Sequence, residues 1–360
     1  MGGLMESKYE VGLVSPNEKC GISAGIGLST DGVLSGQKKM NVAFHSNTMS
    51  LRGSENALWE YANFNETILG NYSVICHPAK LENAGNPTFV RWKERFPLVS
   101  YQTKRELFEK LKERGVDIFY QIKPGPYDGF VIPGVKNCIH SMFLSDEFHG
   151  DCFAYVSPWA SKLMTGGEKS FVPHFVPKLE SKISLRRALG IPDEARVFGR
   201  HGGADTFNIP DVRGIVAEHA QTYPRDHFVF LNTNRIPGTE KMPNVHYLQS
   251  TVGPGEKARF LATCDAMLHA RWHGETFGLA VGEFAVLGKP VITYGGSRER
   301  AHLDLLGDKA LVYQNRVQLK KILSSFEPRD GANTGYDQFS DPKRVMEIFA
   351  ERFLFRMSNA

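Results

Sequence analysis

The chemistry of this chain is most concentrated between Ala270 and Ala285, which reads ARWHGETFGLAVGEFA. Two carboxylates, Glu275 and Glu283, flank the turn Phe277-Gly278-Leu279. The segment follows an apolar strand pattern and opens a helical one. The first turn of a helix leaves backbone N–H groups without intrahelical partners, so it attracts anions, and a glycine there lets a phosphate approach the backbone. Phe277, Gly278 and Leu279 would supply those amides. Glu275, ahead of the helix, can reach a group beyond the phosphate. Glu283, in the second turn, lies on its other side. One carboxylate can then orient sugar hydroxyls and the other ribose hydroxyls, and a nucleotide-sugar laid across the helix start satisfies both. Ligands of open α/β sheets bind at the carboxyl ends of strands, where this turn should fall. Taken singly, the two read as a solvated Glu and a helix-capping Glu on an ordinary βα turn. The functional reading rests on their coincidence with Gly274, Phe277, Gly278 and the following Gly288-Lys289-Pro290-Val291.

At these residues, E-x7-E followed by G-K-P-V-I, the chain resembles the family 4 retaining glycosyltransferases of the GT-B fold. The resemblance covers residues 195–300 and, more weakly, 40–360. It implies sugar transfer from a nucleotide-diphosphate sugar, without a metal ion and with retention at the anomeric carbon. It also implies roles for single residues. Arg200, closing Val197-Phe198-Gly199-Arg200, matches a basic residue that neutralises the donor diphosphate, and a planar guanidinium suits bidentate phosphate contact. The lysine that the family places a few residues later has no counterpart in Ala204-Asp205-Thr206-Phe207, which leaves Arg235 or Arg271 to substitute. Leu248 ends a strand whose backbone meets the nucleobase in the family, a plain core strand being the alternative. Gly53 matches a loop glycine whose amide approaches the donor phosphate or the acceptor, and it also reads as a simple turn residue. His140 matches a histidine facing the donor sugar, where a neutral imidazole accepts hydrogen bonds or supports charge at the reacting centre. A structural histidine is the alternative there, and His45 is a weaker rival for the role.

The elements that must position these groups alternate between short apolar runs and helical patterns. Strands are predicted at 42–44, 73–76, 117–120, 138–140 and 152–156, with helices at 54–64 and 104–114. After Val172-Pro173-His174-Phe175-Val176-Pro177, whose prolines fit neither a helix nor a central strand, the alternation restarts. The second half has strands at 196–199, 227–231, 245–248, 266–268 and 290–293, with helices at 184–189, 211–222, 255–263, 279–288 and 315–325. The pattern predicts an α/β protein of two Rossmann-like domains with parallel sheets, which in the GT-B fold face each other across a cleft. The divisions are a poorly ordered leader over 1–39, an acceptor-side domain over 40–175, a nucleotide-sugar-binding domain over 176–340 and a C-terminal helix over 341–360 that packs back on the first domain. Met40 is a candidate functional start. No role is assigned to the breaker-rich loop Lys123–Gly129, and Arg298-Glu299-Arg300 reads as a solvated helix start.

Composition narrows the function class. Lys and Arg total 43 against 39 Asp and Glu, a net charge of +4, too small an excess to suggest nucleic-acid binding. Five scattered cysteines without a C-x-x-C pair point to a reducing, cytoplasmic setting. No apolar run is long enough to span a membrane, and no signal peptide is visible; peripheral membrane contact is left open. No His, Cys or Asp cluster has metal-ligand spacing, so no cofactor is expected beyond the nucleotide-sugar donor, and the partner is a glycan or other hydroxyl acceptor. The rival readings are a nucleotide-sugar 2-epimerase-like isomerase and a non-catalytic nucleotide-sugar-binding module on the same fold.

Overall fold

The computed structural model describes residues 38–50, 52–250, 253–328, 331 and 333–355. The leader expected over residues 1–39 falls, up to residue 37, outside the described residues.

The first sheet is built from β1 (Asn41–His45), β2 (Tyr72–Pro78), β3 (Leu98–Tyr101), β4 (Ile118–Lys123), β5 (Lys136–Ser141), β6 (Cys152–Tyr155) and β7 (Ser170–Phe171). Its seven strands run parallel in the order β3-β2-β1-β4-β5-β6-β7. Val42, Ala43 and Phe44 are fully buried in succession, as expected of a central strand covered on both faces. The connecting helices are α1 (Gly53–Thr67), α2 (Pro87–Arg95), α3 (Lys104–Glu113) and α4 (Pro158–Thr165). The sequence reading did not place α2 and α4. Both begin with proline behind a side-chain cap, Asn86 accepting from the Thr88 N–H and Ser157 from the Ala160 N–H. Proline at that position forfeits no intrahelical hydrogen bond.

The second sheet is built from β8 (Val197–Arg200), β9 (His227–Leu231), β10 (Val245–Leu248), β11 (Ala266–His269), β13 (Val291–Tyr294) and β15 (Leu311–Tyr313), in the order β10-β9-β8-β11-β13-β15. Its helices are α5 (Pro210–Thr222), α6 (Pro254–Thr263), α7 (Leu279–Ala285), α8 (Ala301–Leu306) and α9 (Arg316–Ser324). A two-strand ladder joins β12 (Gly274–Glu275) to β14 (Glu299–Arg300). The helix expected at 184–189 is only a 3₁₀ turn at Arg187–Leu189, ended by Gly190 in the left-handed region.

Residues 172–180 carry no helix or strand, and Val172 and Val176 are fully buried. The Val176 N–H donates to the Phe339 carbonyl at 2.9 Å. Beyond it, α10 (Pro342–Phe349) and a π-helical turn at Ala350–Leu354 lie on the first sheet, where the Phe349 ring centroid is 6.3 Å from Phe44, 5.0 Å from Tyr61 and 5.2 Å from Tyr120. One apolar core therefore runs from Val42 and Phe44 through Val172 and Val176 to Phe277, Val281 and Phe284. A seam of this kind resists separation of the two sheets, because opening it exposes apolar surface to water.

Candidate active site

The turn that opens α7 follows β11 at the carboxyl end of the second sheet. Gly278 is its N-cap at φ +86°, and no side chain caps the helix. A Cβ at Gly278 would lie 2.9 Å from Tyr336 Oη and 3.2 Å from Glu275 Cβ. A Cβ at Gly282 would lie 2.7 Å from the Tyr336 ring. Tyr336, fully buried, donates its hydroxyl to the Phe277 carbonyl at 2.5 Å. Gly278 thus answers to the tyrosine packed on the helix as well as to its own backbone conformation, a requirement no local pattern reveals.

Glu275 accepts from Arg271 Nη1 at 2.6 Å and pairs with His269 Nε2 at 3.3 Å. A buried chain extends behind it: His269 Nδ1 is 2.9 Å from Thr293 Oγ1, which is 3.1 Å from His302 Nε2. Burial and the neighbouring His269 push the His302 ring down to about 3, so the ring is neutral. Its Nδ1 has no hydrogen-bond partner among the described residues. At its outer end the chain meets an ionised carboxylate, which can only accept, so His269 Nε2–H donates to Glu275. Burial opposes charge on Glu275, yet the His269 hydrogen bond and the Arg271 guanidinium hold its carboxyl at about 2.

Glu283 is the deeper carboxylate, at 1% side-chain exposure. Lys257 Nζ, from the first turn of α6, donates to one oxygen at 2.5 Å. His201 Nε2 lies 3.0 Å from the other, out of hydrogen-bond alignment. Burial again opposes the charge, and Lys257 with His201 holds the carboxyl at about 2. From the first domain, Glu60 on α1 feels the charges of both Lys257 and Glu283; burial raises its carboxyl. Gly53, at the start of α1, meets the same region: a Cβ there would lie 3.9 Å from Leu279 Cδ2. The structure therefore brings together Gly53, Glu275, Phe277, Gly278, Leu279 and Glu283.

Three other residues singled out in the sequence sit differently. Arg200 is 4% exposed, and its two terminal nitrogens donate to the Asn232 and Gly203 carbonyls and the Thr233 and Thr206 hydroxyls. Burial lowers it to about 10, and in this conformation it braces the loops after β8 and β9 instead of presenting a free fork. Leu248 is half-buried at the end of β10, its carbonyl accepting from the Asn232 N–H at 3.0 Å. His140 is fully buried, with Nδ1 2.6 Å from Tyr120 Oη and Nε2 2.9 Å from the Val172 carbonyl. Burial drives its ring well below the usual imidazole range, so it is neutral. With both nitrogens engaged and no exposed face, His140 has the surroundings of a core histidine.

Sequence reasoning missed Lys257, His201, His269, His302 and Tyr336. No spacing marks them, because each reaches the site from a different element. Arg298-Glu299-Arg300 is also not a plain solvated helix start, since Glu299 and Arg300 form the strand that holds Gly274 and Glu275. Among the described residues, no group of three or more His, Cys, Asp or Glu could hold a metal ion, and no helix is long and apolar enough to cross a membrane.

The sequence matches no protein-family model and no curated protein. Solved structures are similar throughout both domains. HepE from Anabaena, in complex with UDP and glucose, aligns with a TM-score of 0.62 at 14% identity over 87% of this chain and 95% of that one. A glycosyltransferase from Rickettsia africae aligns at 0.57 with 12% identity, over 88% of this chain and 95% of that one. A UDP-N-acetylglucosamine 2-epimerase aligns at 0.55 with 13% identity, over 87% and 96%. With its two parallel sheets in that arrangement, the chain has the GT-B fold.

Proposed function

We propose that this protein is a retaining glycosyltransferase that moves a sugar from a nucleotide-diphosphate sugar to a hydroxyl acceptor without a metal ion. The observation that carries the reading is the pair of ionised glutamates on either side of an uncapped helix start, with Gly53 of the other domain next to that start. The donor lies across the turn. The amides of Phe277, Gly278 and Leu279 take the diphosphate and stabilise the charge that develops as it leaves. Glu283, beside His201 of the loop that follows Arg200, takes the ribose hydroxyls, and Lys257 gives way to them or shares them. Glu275, fixed by the His302–Thr293–His269 chain, orients the donor sugar as positive charge grows at its anomeric carbon. HepE, solved with UDP and glucose, shares the fold and is consistent with a donor of this class.

The fold likeness to a 2-epimerase keeps an isomerase as the second reading. Product analysis separates the two: a transferase yields nucleoside diphosphate and an α- or β-glycoside matching the donor, an epimerase an altered nucleotide-sugar or free nucleotide without any acceptor. After a thermal-shift screen of nucleotide-sugars has identified the donor, calorimetry tests the placement. Glu283→Ala should weaken free nucleotide and donor alike, by about ten- to a hundredfold for a lost charge-assisted hydrogen bond. Glu275→Ala should leave free-nucleotide affinity nearly unchanged while turnover collapses. Equal losses of nucleotide affinity in both variants would show that the donor does not lie this way across the turn.

A further inference from the structure

The two glutamates divide the rim of the second sheet. Glu283 contacts residues that follow β8 and β10, namely His201 and Lys257. Glu275 contacts residues of β11 and its loop, namely His269 and Arg271. In the strand order β10-β9-β8-β11-β13-β15, β8 lies on one side of β11 and β13 on the other, which sets a direction with the nucleoside toward β8 and the sugar toward β11 and β13. Continuing along it past Glu275 leads to Trp272.

Trp272 is 56% exposed, although a large apolar ring in a loop ordinarily buries itself. Its surroundings are nevertheless built. Its backbone N–H donates to Asn208 Oδ1 at 2.8 Å. Its ring stacks on Tyr294 with centroids 5.9 Å apart and planes 20° from parallel. Tyr294, half-buried at the end of β13, leans in turn on Tyr313 at 5.6 Å, and Tyr313 is 2% exposed with its hydroxyl on the His269 carbonyl at 3.2 Å. An exposed ring is thus anchored through a second ring to a third in the core. The loop beneath is also strapped: Glu299 N–H donates to the His273 carbonyl at 2.7 Å, and Gly274, at φ +77°, has no room for a Cβ against the Glu299 carbonyl. Polar groups suited to hydroxyls belong to the same loop and to the strand that straps it. Arg271 keeps a quarter of its side chain exposed, and the half-buried Glu299 carboxyl, raised by burial to about 7, can accept or donate. A rigid aromatic face on a loop that also carries a guanidinium, strapped to a strand that carries a carboxyl, offers an apolar surface with hydrogen-bonding groups nearby in the chain, the same division that a pyranose ring presents.

We propose that Trp272, backed by Tyr294, is a stacking ledge for a pyranose ring of the acceptor, which makes the acceptor a saccharide. The proposal rests on the transferase reading, because that reading places the donor sugar at Glu275 and leaves the ledge on the acceptor side. The test uses the full chain and two sets of probes: cellobiose, maltose, lactose and chitobiose by saturation-transfer NMR titration, and UDP, GDP and ADP by calorimetry. At least one disaccharide should bind. Trp272→Ala should weaken it by about tenfold or more, as loss of an anchoring aromatic does, and Trp272→Phe should stay within about threefold of the parent. Nucleotide affinity should not change in either variant. The proposal is overturned if no disaccharide binds, if Trp272→Ala binds it as the parent does, or if Trp272→Ala weakens the nucleotide instead, which would make the ledge a nucleobase platform. Failure of every nucleotide to bind the parent would sink the transferase reading, and the disaccharide titrations would still decide whether the ledge takes a sugar.

Discussion

Glu283→Gln perturbs the site at its most buried charge. The parent carboxyl is held at about 2 rather than at its ordinary 4.5, against the cost of burial, by Lys257 and His201. That displacement corresponds to about 3 kcal/mol of preference for the charged form in the folded state. Glutamine keeps the shape and removes the charge. Lys257, with 23% of its side chain exposed, can retreat to solvent, so the variant does not leave a stranded buried cation, and about 3 kcal/mol is an upper estimate of the loss. The pH dependence has a definite sign. A carboxyl depressed in the fold contributes its full stabilisation above its unfolded value near 4.5 and loses it as pH falls toward 2. Urea unfolding of parent and variant at pH 7, 5 and 3.5 measures this directly. The parent should be more stable by up to about 3 kcal/mol at pH 7 and nearly as much at pH 5, and the gap should narrow by about 1 kcal/mol at pH 3.5. Comparing variant with parent cancels the other carboxylates that titrate in the same range. Equal stability at pH 7, or a gap that stays constant down to pH 3.5, would refute the charged pair as the reason Glu283 is tolerated in the interior.

Gly278→Ala should lower the melting temperature through about 1–3 kcal/mol of strain, since the residue sits at φ +86° with Tyr336 Oη where the methyl group must go; an unchanged melting temperature would contradict that packing. His140→Phe should destabilise the fold by about 1–3 kcal/mol by leaving Tyr120 and the Val172 carbonyl without their partner, while turnover per folded molecule survives; lost turnover at unchanged stability would return His140 to the reaction. Donor turnover in excess chelator should match turnover without it, and a loss restored by a divalent ion would remove metal independence from the proposed mechanism.

What the sequence determined by itself is local. Period and punctuation marked most strands of both sheets, because each buries a short apolar run whatever its neighbours are. The spacing of Glu275, Gly278 and Glu283 marked one helix start, because capping and backbone geometry act over a single turn. The short segments escaped it: the helices α2 and α4, too short for a clear helical period, and the strands β3, β7, β12, β14 and β15, none longer than Leu98–Tyr101 and too short to carry an alternation of their own. Only the tertiary structure decided what the marked residues touch. Lys257 and His201 reach Glu283 from α6 and the loop after β8, and Tyr336 arrives from far along the chain to occupy the space that Gly278 and Gly282 leave. Arg200 and His140 looked alike in sequence as polar groups at strand ends, and packing engaged both with backbone and hydroxyl partners. The stack of Trp272 on Tyr294 on Tyr313 joins a loop and two strand ends that are separate in the chain. A residue's type limits the chemistry it can do, but its charge state and its availability depend on desolvation and on partners brought in from other elements, and those exist only once the sheets have packed.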